Sequence, residues 1–247
     1  MGEPQAPRRL TIRQVGELLL SGAFRECRLL PWGSNYTFLA ALEDGDLGTL
    51  LAVYKPEEGE RPLWDFPPGL HRREYAAFLV SEQLGWGLVP PTVIRDGPHG
   101  VGSVQFYIDH EEEANYFSLR EEGRGELLAI AFFDLLINNT DRKGGHCLKG
   151  RDGRVWAIDH GLTFHASPKL RTVIWDFCGQ PFPPALLKGV ERLGGALEDT
   201  SSALVRELGE LLSLRELDAL RRRAAGILRK PRFPRLDEYR HLPWPPI

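Results

Sequence analysis

Apolar and polar positions follow two rhythms along this chain. In TIRQVGELLLSG (11–22), Val15, Leu18 and Leu19 fall at helical spacing. Thr11 and Gln14 stand three apart, as in a capping box, so a short helix is expected. The rhythm then shortens. YTFLAAL (36–42) and TLLAVYK (49–55) are strand-length apolar runs around the turn-forming EDGDLG, and VPPTVI (89–94) and GSVQFYI (102–108) flank RDGPHG in the same way. Between these pairs lies a Pro- and Gly-rich connection from Pro56 to Gly69. It is followed by HRREYAAFLVSEQLG, whose Tyr75, Phe78, Leu79 and Leu84 lie on or near one stripe of an amphipathic helix.

After Asp109 the character changes. HEEEANYFSLREEG (110–123) is a polar connection leading into GELLAIAFFDLLINN (125–139), which reads as a largely buried helix. HCLKGRDGRVWAID (146–159) has two short apolar runs around Asp152-Gly153, the pattern of a hairpin. From about Pro184 to Lys230 leucines recur at helical spacing, and the tail from Pro231 is too rich in proline for a helix. The expected class is therefore α+β: a β-rich lobe over residues 1–108 and a mostly helical lobe over 109–247, with the boundary near Ile108–Glu113.

Bulk properties narrow the picture. A length of 247 residues suits one large domain or two lobes. The formal charge of −3 argues against a nucleic-acid binder held by bulk charge. MGEPQAPRRL lacks the apolar core of a secretory signal, and no run approaches the ~18 apolar residues of a membrane span. A soluble, cytoplasmic protein without membrane insertion is expected. Cys27, Cys147 and Cys178 match neither a zinc pattern nor a disulfide framework and read as buried or partly buried free thiols. Lysine is scarce beside arginine, which draws notice to Lys55 at the end of the apolar LLAVYK.

Lys55 is either a surface lysine at the strand's end or, if the strand is buried, needs an anionic partner, for which Glu74 on the following helix is the candidate. Gly33, Ser34 and Asn35 form a turn before the first strand of the β-rich lobe; the sequence suits a plain turn first, and it could also present backbone N–H groups and a hydroxyl to phosphate. NNTDRKGGH (138–146) is a dense polar loop directly after the buried helix. Asp141 in it and Asp159 lie eighteen residues apart, on either side of the hairpin. Such a hairpin brings both carboxylates to one end, where one can take a proton and the other hold a divalent cation. Taken alone, each aspartate is equally at home capping its own turn. Glycine turn, strand lysine, helix glutamate, polar loop, hairpin and Asp159-His160-Gly161 follow the order of parts in a kinase.

The chain resembles the phosphatidylinositol 3-/4-kinase-like branch of the protein-kinase-like superfamily. The likeness is to the type II phosphatidylinositol 4-kinases and their bacterial relatives, with small kinase-like actinobacterial proteins nearer and HipA-like protein kinases more distant. It rests on AVYKP (52–56), REYAAFLVSEQLG with LVPPT (73–92), GSVQFYI (102–108), FDLLINNTDR (133–142) and AIDHGLTF (157–164), about half the chain. It implies a two-lobed kinase-like fold and an ATP-dependent phosphotransferase. Lys55 would hold nucleotide phosphates with Glu74 as its partner, joined by Ser34 and Asn35 of the glycine turn. Val53 would line the adenine pocket, and Gln105, Phe106, Tyr107 and Ile108 would form the segment whose backbone meets the adenine edge. Asp141 would be the catalytic base, Lys143 would meet the transferred phosphate, and Asp159 would bind Mg²⁺ or Mn²⁺. The role of Arg142 stays open.

Two positions depart from the pattern. His146 stands where kinases carry a metal-binding asparagine, and His160 where a DFG motif has phenylalanine. Imidazole is a softer donor than an amide oxygen, so His146 as a ligand implies a preference for Mn²⁺. The other reading of His146 is simple packing at the loop's end. The hydroxyl acceptor is open between a protein Ser/Thr and a small molecule, with lipid ranked below both, and oligomeric state is open too. A nucleotide-binding regulator without transfer activity and an AMP-transferring relative are the competing functions. Lys169, Arg171 and Trp175, after Asp159, are candidates to shape an acceptor site, while Trp175 and Phe177 equally suit packing that loop down.

Overall fold

The structure, a computed structural model, describes residues 10–31, 35–235 and 241–247. It forms two compact units. One comprises residues up to Arg61 together with Pro91–Tyr107, and the other Pro62–Pro90 together with Ile108–Ile247.

The first unit is one antiparallel sheet with a helix on one face. Helix α1 (Ile12–Ser21) begins at Thr11, whose side chain accepts from the Gln14 amide while the Gln14 side chain accepts from the Thr11 amide, the expected capping box. Strands β1 (Ala23–Leu29), β2 (Phe38–Asp44), β3 (Gly48–Pro56), β4 (Thr92–Gly97) and β5 (Gly100–Phe106) are ordered β1-β2-β3-β5-β4. Side chains alternate across the sheet. Phe38, Ala40, Leu42, Leu50, Ala52, Tyr54 and Val104 form one core with Val15, Leu18 and Leu19 of α1. The opposite face carries Leu39, Val53 and Gln105, aligned on neighbouring strands, with Lys55 opposite Ser103 one step along. Strand β1 was not anticipated. It is an edge strand with most side chains exposed, so its sequence AFRECRL shows no apolar alternation.

The second unit is mostly helical: α2 (Leu70–Leu84), the single turn α3 (Tyr116–Leu119), α4 (Arg124–Ile137), α5 (Pro184–Glu198), α6 (Ala203–Leu211) and α7 (Leu214–Arg229). The expected hairpin is present as β6 (Cys147–Lys149) and β7 (Val155–Ala157), with Gly153 at φ 83° in its turn. Helix α2 contacts α5 and α6, and α4 contacts α7 and β7. Helix α4 supplies the heart of the core: Ile130, Phe132, Phe133, Leu136 and Ile137 are fully buried, and Phe132 stacks on Phe182 with centroids 4.1 Å apart. Each such side chain contributes roughly 1.5–3 kcal/mol by leaving water. Cys147 is buried and Cys27 and Cys178 partly so, all as free thiols. No helix of the described residues is long and apolar enough to cross a membrane.

Candidate active site

Helix α4 ends at Asn138, which adopts the left-handed conformation at φ 56°. Asparagine tolerates that geometry better than most residues, and it turns the chain sharply out of the buried helix. The Asn138 amide then holds a distant segment: Nδ2 donates to the carbonyls of His165 and Ser167, both at 2.8 Å, and Oδ1 accepts from the Lys169 amide at 2.9 Å. Asn139 bridges backward and forward. Its Nδ2 donates to Asp134 Oδ1 at 2.9 Å, and its Oδ1 accepts from the Asp141 amide at 2.9 Å. Thr140 pairs with Leu162 through both its amide and its hydroxyl.

Arg142 organises the remainder of the loop. Its guanidinium is fully buried and uses every donor it has. Nε and Nη2 reach the two oxygens of Asp134, at 2.9 and 3.0 Å. Nη1 donates to the carbonyls of His146 and Ile158, at 3.0 and 2.7 Å, and Nη2 also meets His160 Nε2 at 2.8 Å. Because a guanidinium only donates, His160 Nε2 accepts here and the ring proton sits on Nδ1. Burial alone would depress the Arg142 pKa, but Asp134 outweighs it and holds the group above its ordinary value. One buried cation thus ties α4 to the loop's end, to the strand leading into Asp159 and to His160.

Asp141 and Asp159 project from this frame. Asp141 Oδ2 lies 3.3 Å from Lys143 Nζ. Desolvation by burial raises the Asp141 carboxyl to about 6; Lys143 opposes the rise and the charge of Asp159 adds to it. Asp159 is held at φ 60°, a strained conformation for aspartate. Its neighbours pin it: Ile158 O accepts from Arg142, and the His160 amide donates to Glu74 Oε2 at 2.9 Å. Glu74 is buried on α2, so this helix fixes the backbone beside Asp159. His146 Nε2 stands 3.1 Å from Asp159 Oδ2, while its Nδ1 lies 3.1 Å from Asp141 O and 3.4 Å from the Lys143 amide nitrogen.

These donors suit a divalent cation. A carboxylate oxygen and an imidazole nitrogen 3.1 Å apart match adjacent corners of an octahedron with bonds of about 2.1 Å. Among the described residues no group of three or more His, Cys, Asp or Glu side chains is gathered as a metal cage. Sites that hold a cation against phosphates use one or two protein carboxylates, with phosphate oxygens and water as the other ligands.

The second unit therefore brings together Glu74, Asp141, Lys143, His146 and Asp159. Ile108, also in this unit, is buried and its carbonyl faces His110 Nδ1 at 2.8 Å. In the first unit Val53, Lys55 and Gln105 share one sheet face, while Phe106, aligned with Ala52, lies on the other. Gln105 Nε2 donates to Thr92 Oγ1 at 2.9 Å, and the Tyr107 amide donates to Leu51 O at 3.0 Å. Asn35 Oδ1 accepts from the Arg61 amide at 2.8 Å, and Ser34 lies outside the described residues. Lys169 pairs with Asp65 at 2.7 Å, and Phe177 packs in the core. Sequence reasoning missed Asp134 and Asn139. The available signal was a charged residue inside FFDLLI, since a carboxylate on a buried helix requires a partner.

No family model matches the chain. It is 40% identical over 266 aligned positions to protein Rv2133c of Mycobacterium tuberculosis, covering 93% of this chain and 92% of that protein. It is 25% identical over 209 positions to phosphatidylinositol 4-kinase gamma 4 of Oryza sativa subsp. japonica, covering 70% of this chain and 37% of that longer protein. Among solved structures, the Golgi casein kinase with Mn/ADP bound superposes with a TM-score of 0.59 at 17% identity, over 88% of this chain and 74% of its own. Hydra Fam20 with sugar does so with a TM-score of 0.59 at 15% identity, over 88% of this chain and 87% of its own. At such identities the likeness shows a shared fold, a kinase-like α+β architecture.

Proposed function

The chain belongs to the same family as protein Rv2133c of Mycobacterium tuberculosis, and we propose that it is an ATP-dependent phosphotransferase acting on a hydroxyl. The observation that carries this reading is the pair of carboxylates flanking the β6–β7 hairpin. Asp141 is half-buried beside Lys143, and Asp159 is held open beside His146. We place the chain in the phosphatidylinositol 3-/4-kinase-like branch, supported by its likeness to the rice phosphatidylinositol 4-kinase. The acceptor is a hydroxyl of a protein side chain or a small molecule.

Asp141 takes the proton of the acceptor hydroxyl as that oxygen bonds to the γ-phosphorus of ATP. The bond from phosphorus to the β–γ bridging oxygen breaks, and its electron pair leaves with ADP. Raised carboxyl basicity suits this role, since a base with a pKa of about 6 holds a proton better than an ordinary aspartate yet is ionised at neutral pH. Lys143 supplies positive charge beside the transferred group. Asp159 and His146 would hold a divalent cation, Mg²⁺ or Mn²⁺, which would supply positive charge against the phosphate oxygens. Glu74 fixes the backbone of His160 and so the aim of Asp159. We assign residues 1–108 the nucleotide contacts, with Lys55 on the phosphates assisted by Ser34 and Asn35, Val53 against the base, and Gln105 to Ile108 along its edge. Residues 109–247 carry the catalytic and metal ligands.

Product analysis tests the proposal. The protein is incubated with ATP, Mn²⁺ and mixtures of Ser/Thr peptides or polyols. Stoichiometric ADP and phosphorylated acceptor are expected. AMP attached to the acceptor, or nucleotide binding with no product on any acceptor, would replace the proposal by an AMP transferase or a regulator.

A further inference from the structure

The second unit contains a cavity of about 690 Å³ bounded by α7, the end of α4 and the segment after Asp159. This lies within the size range of small-molecule sites, roughly 300–1,000 Å³. None of Asp141, Lys143, His146 or Asp159 lines it. Its charged lining is of one sign: Arg222, Arg223, Lys230 and Arg232 line it with His241 and Asn138, Arg232 also donating through Nη1 to Gly179 O, and the described lining residues include no carboxylate. The remaining wall is aliphatic.

Arg223 is the most constrained of these cations. Its Nε donates to Leu136 O at 2.7 Å, closing the end of α4, and Nη1 reaches His165 O at 3.4 Å. Its Nη2 is buried without a hydrogen-bond partner. Desolvation and the neighbouring Arg222 push the Arg223 pKa down to about 10; the opposing pull of Glu216 is shared with Arg73, to which that carboxylate is paired. A largely buried guanidinium crowded by like charge is stabilised by an anion placed beside it.

We infer that this cavity binds a small organic phosphate, its anionic group against Arg222 and Arg223 and its apolar part against the aliphatic wall. The site is separate from the candidate active site and does not depend on the phosphotransferase reading. Because Asn138 lines the cavity and also opens the loop bearing Asp141, the ligand sits against the support of that loop.

Calorimetric titration of the full chain with phenyl phosphate, inorganic phosphate, phenol and phosphatidylserine vesicles tests the inference. Phenyl phosphate is expected to bind more tightly than inorganic phosphate, and phenol not measurably. Arg222→Ser, an exposed substitution that leaves the Arg223 hydrogen bonds in place, should weaken phenyl phosphate about tenfold, the loss of one charge-assisted contact. Arg223→Gln should weaken it further if the variant folds. Asp159→Asn should leave it unchanged, because Asp159 does not line the cavity. Binding that survives Arg222→Ser intact, or that Asp159→Asn abolishes, would overturn the inference, and so would binding to vesicles but not to phenyl phosphate.

Discussion

Arg142 and Asp134 form a bidentate ion pair in which both side chains are completely buried, Nε to Oδ2 at 2.9 Å and Nη2 to Oδ1 at 3.0 Å. Eight residues apart in sequence, they face each other because the chain reverses through Asn138 and Asn139. Removing one partner leaves a buried charge uncompensated, which costs about 3–5 kcal/mol. Arg142→Met should therefore lower unfolding stability by that amount in urea titrations. The double variant Arg142→Met/Asp134→Leu should recover much of it, yet remain inactive, because His146 O and Ile158 O lose their shared donor. Full activity in the stable double variant would show that the pair does not position the loop.

Asp141 gives a pH-dependent prediction. Its folded pKa, about 6, lies above the value of an unfolded aspartate, so the native state holds this proton more tightly than the unfolded chain does. Ionisation then costs the folded state progressively as pH rises from about 4 through 6. Asp141→Asn removes that cost. In chelator the variant should be more stable than the parent by about 1–3 kcal/mol at about pH 7.5, with the gap closing near pH 3. Equal stability at the higher pH would mean that the carboxylate is not strained by its burial.

As a ligand in the proposed site, His146 would bias the choice of metal. With imidazole and carboxylate 3.1 Å apart as ligands, turnover should favour Mn²⁺ over Mg²⁺. His146→Asn should move the ratio of kcat/KM values toward Mg²⁺ by about tenfold, since an amide oxygen is the harder donor. An unchanged ratio would assign His146 to packing alone.

Glu74 acts at one remove. Its Oε2 accepts the His160 amide, so Glu74→Gln keeps an oxygen acceptor and Glu74→Ala does not. Alanine should reduce kcat by at least about tenfold more than glutamine does, because a small misplacement of a metal ligand costs up to about a hundredfold. Equal losses in both variants would point to the charge of Glu74 rather than to this hydrogen bond.

Much of this was legible in the sequence. The capping box of α1, the paired strands around EDGDLG and RDGPHG, the buried α4 and the β6–β7 hairpin all announce themselves by period and turn chemistry. The placement of Asp141 and Asp159 on either side of that hairpin was legible with it, while the roles given to them are proposals. Strand β1 was hidden because an edge strand facing solvent needs no apolar alternation. The role of Arg142 was hidden for a different reason. Its five hydrogen bonds go to groups on three separate segments, and two of its acceptors are backbone carbonyls, which carry no sequence signature. His160 illustrates the same limit: as a departure from a motif it looked like a weakness, whereas in the fold it accepts from Arg142 through Nε2 while its amide anchors Glu74.

The most direct measurement of the central claim is transfer of γ-labelled phosphate from ATP to a hydroxyl acceptor, compared between the parent protein and Asp141→Asn, with ATP binding followed in parallel by calorimetry. The account predicts label on the acceptor with the parent, a loss of at least about a hundredfold with Asp141→Asn, and ATP affinity within a few-fold of the parent. Transfer by Asp141→Asn at the parent rate would contradict it.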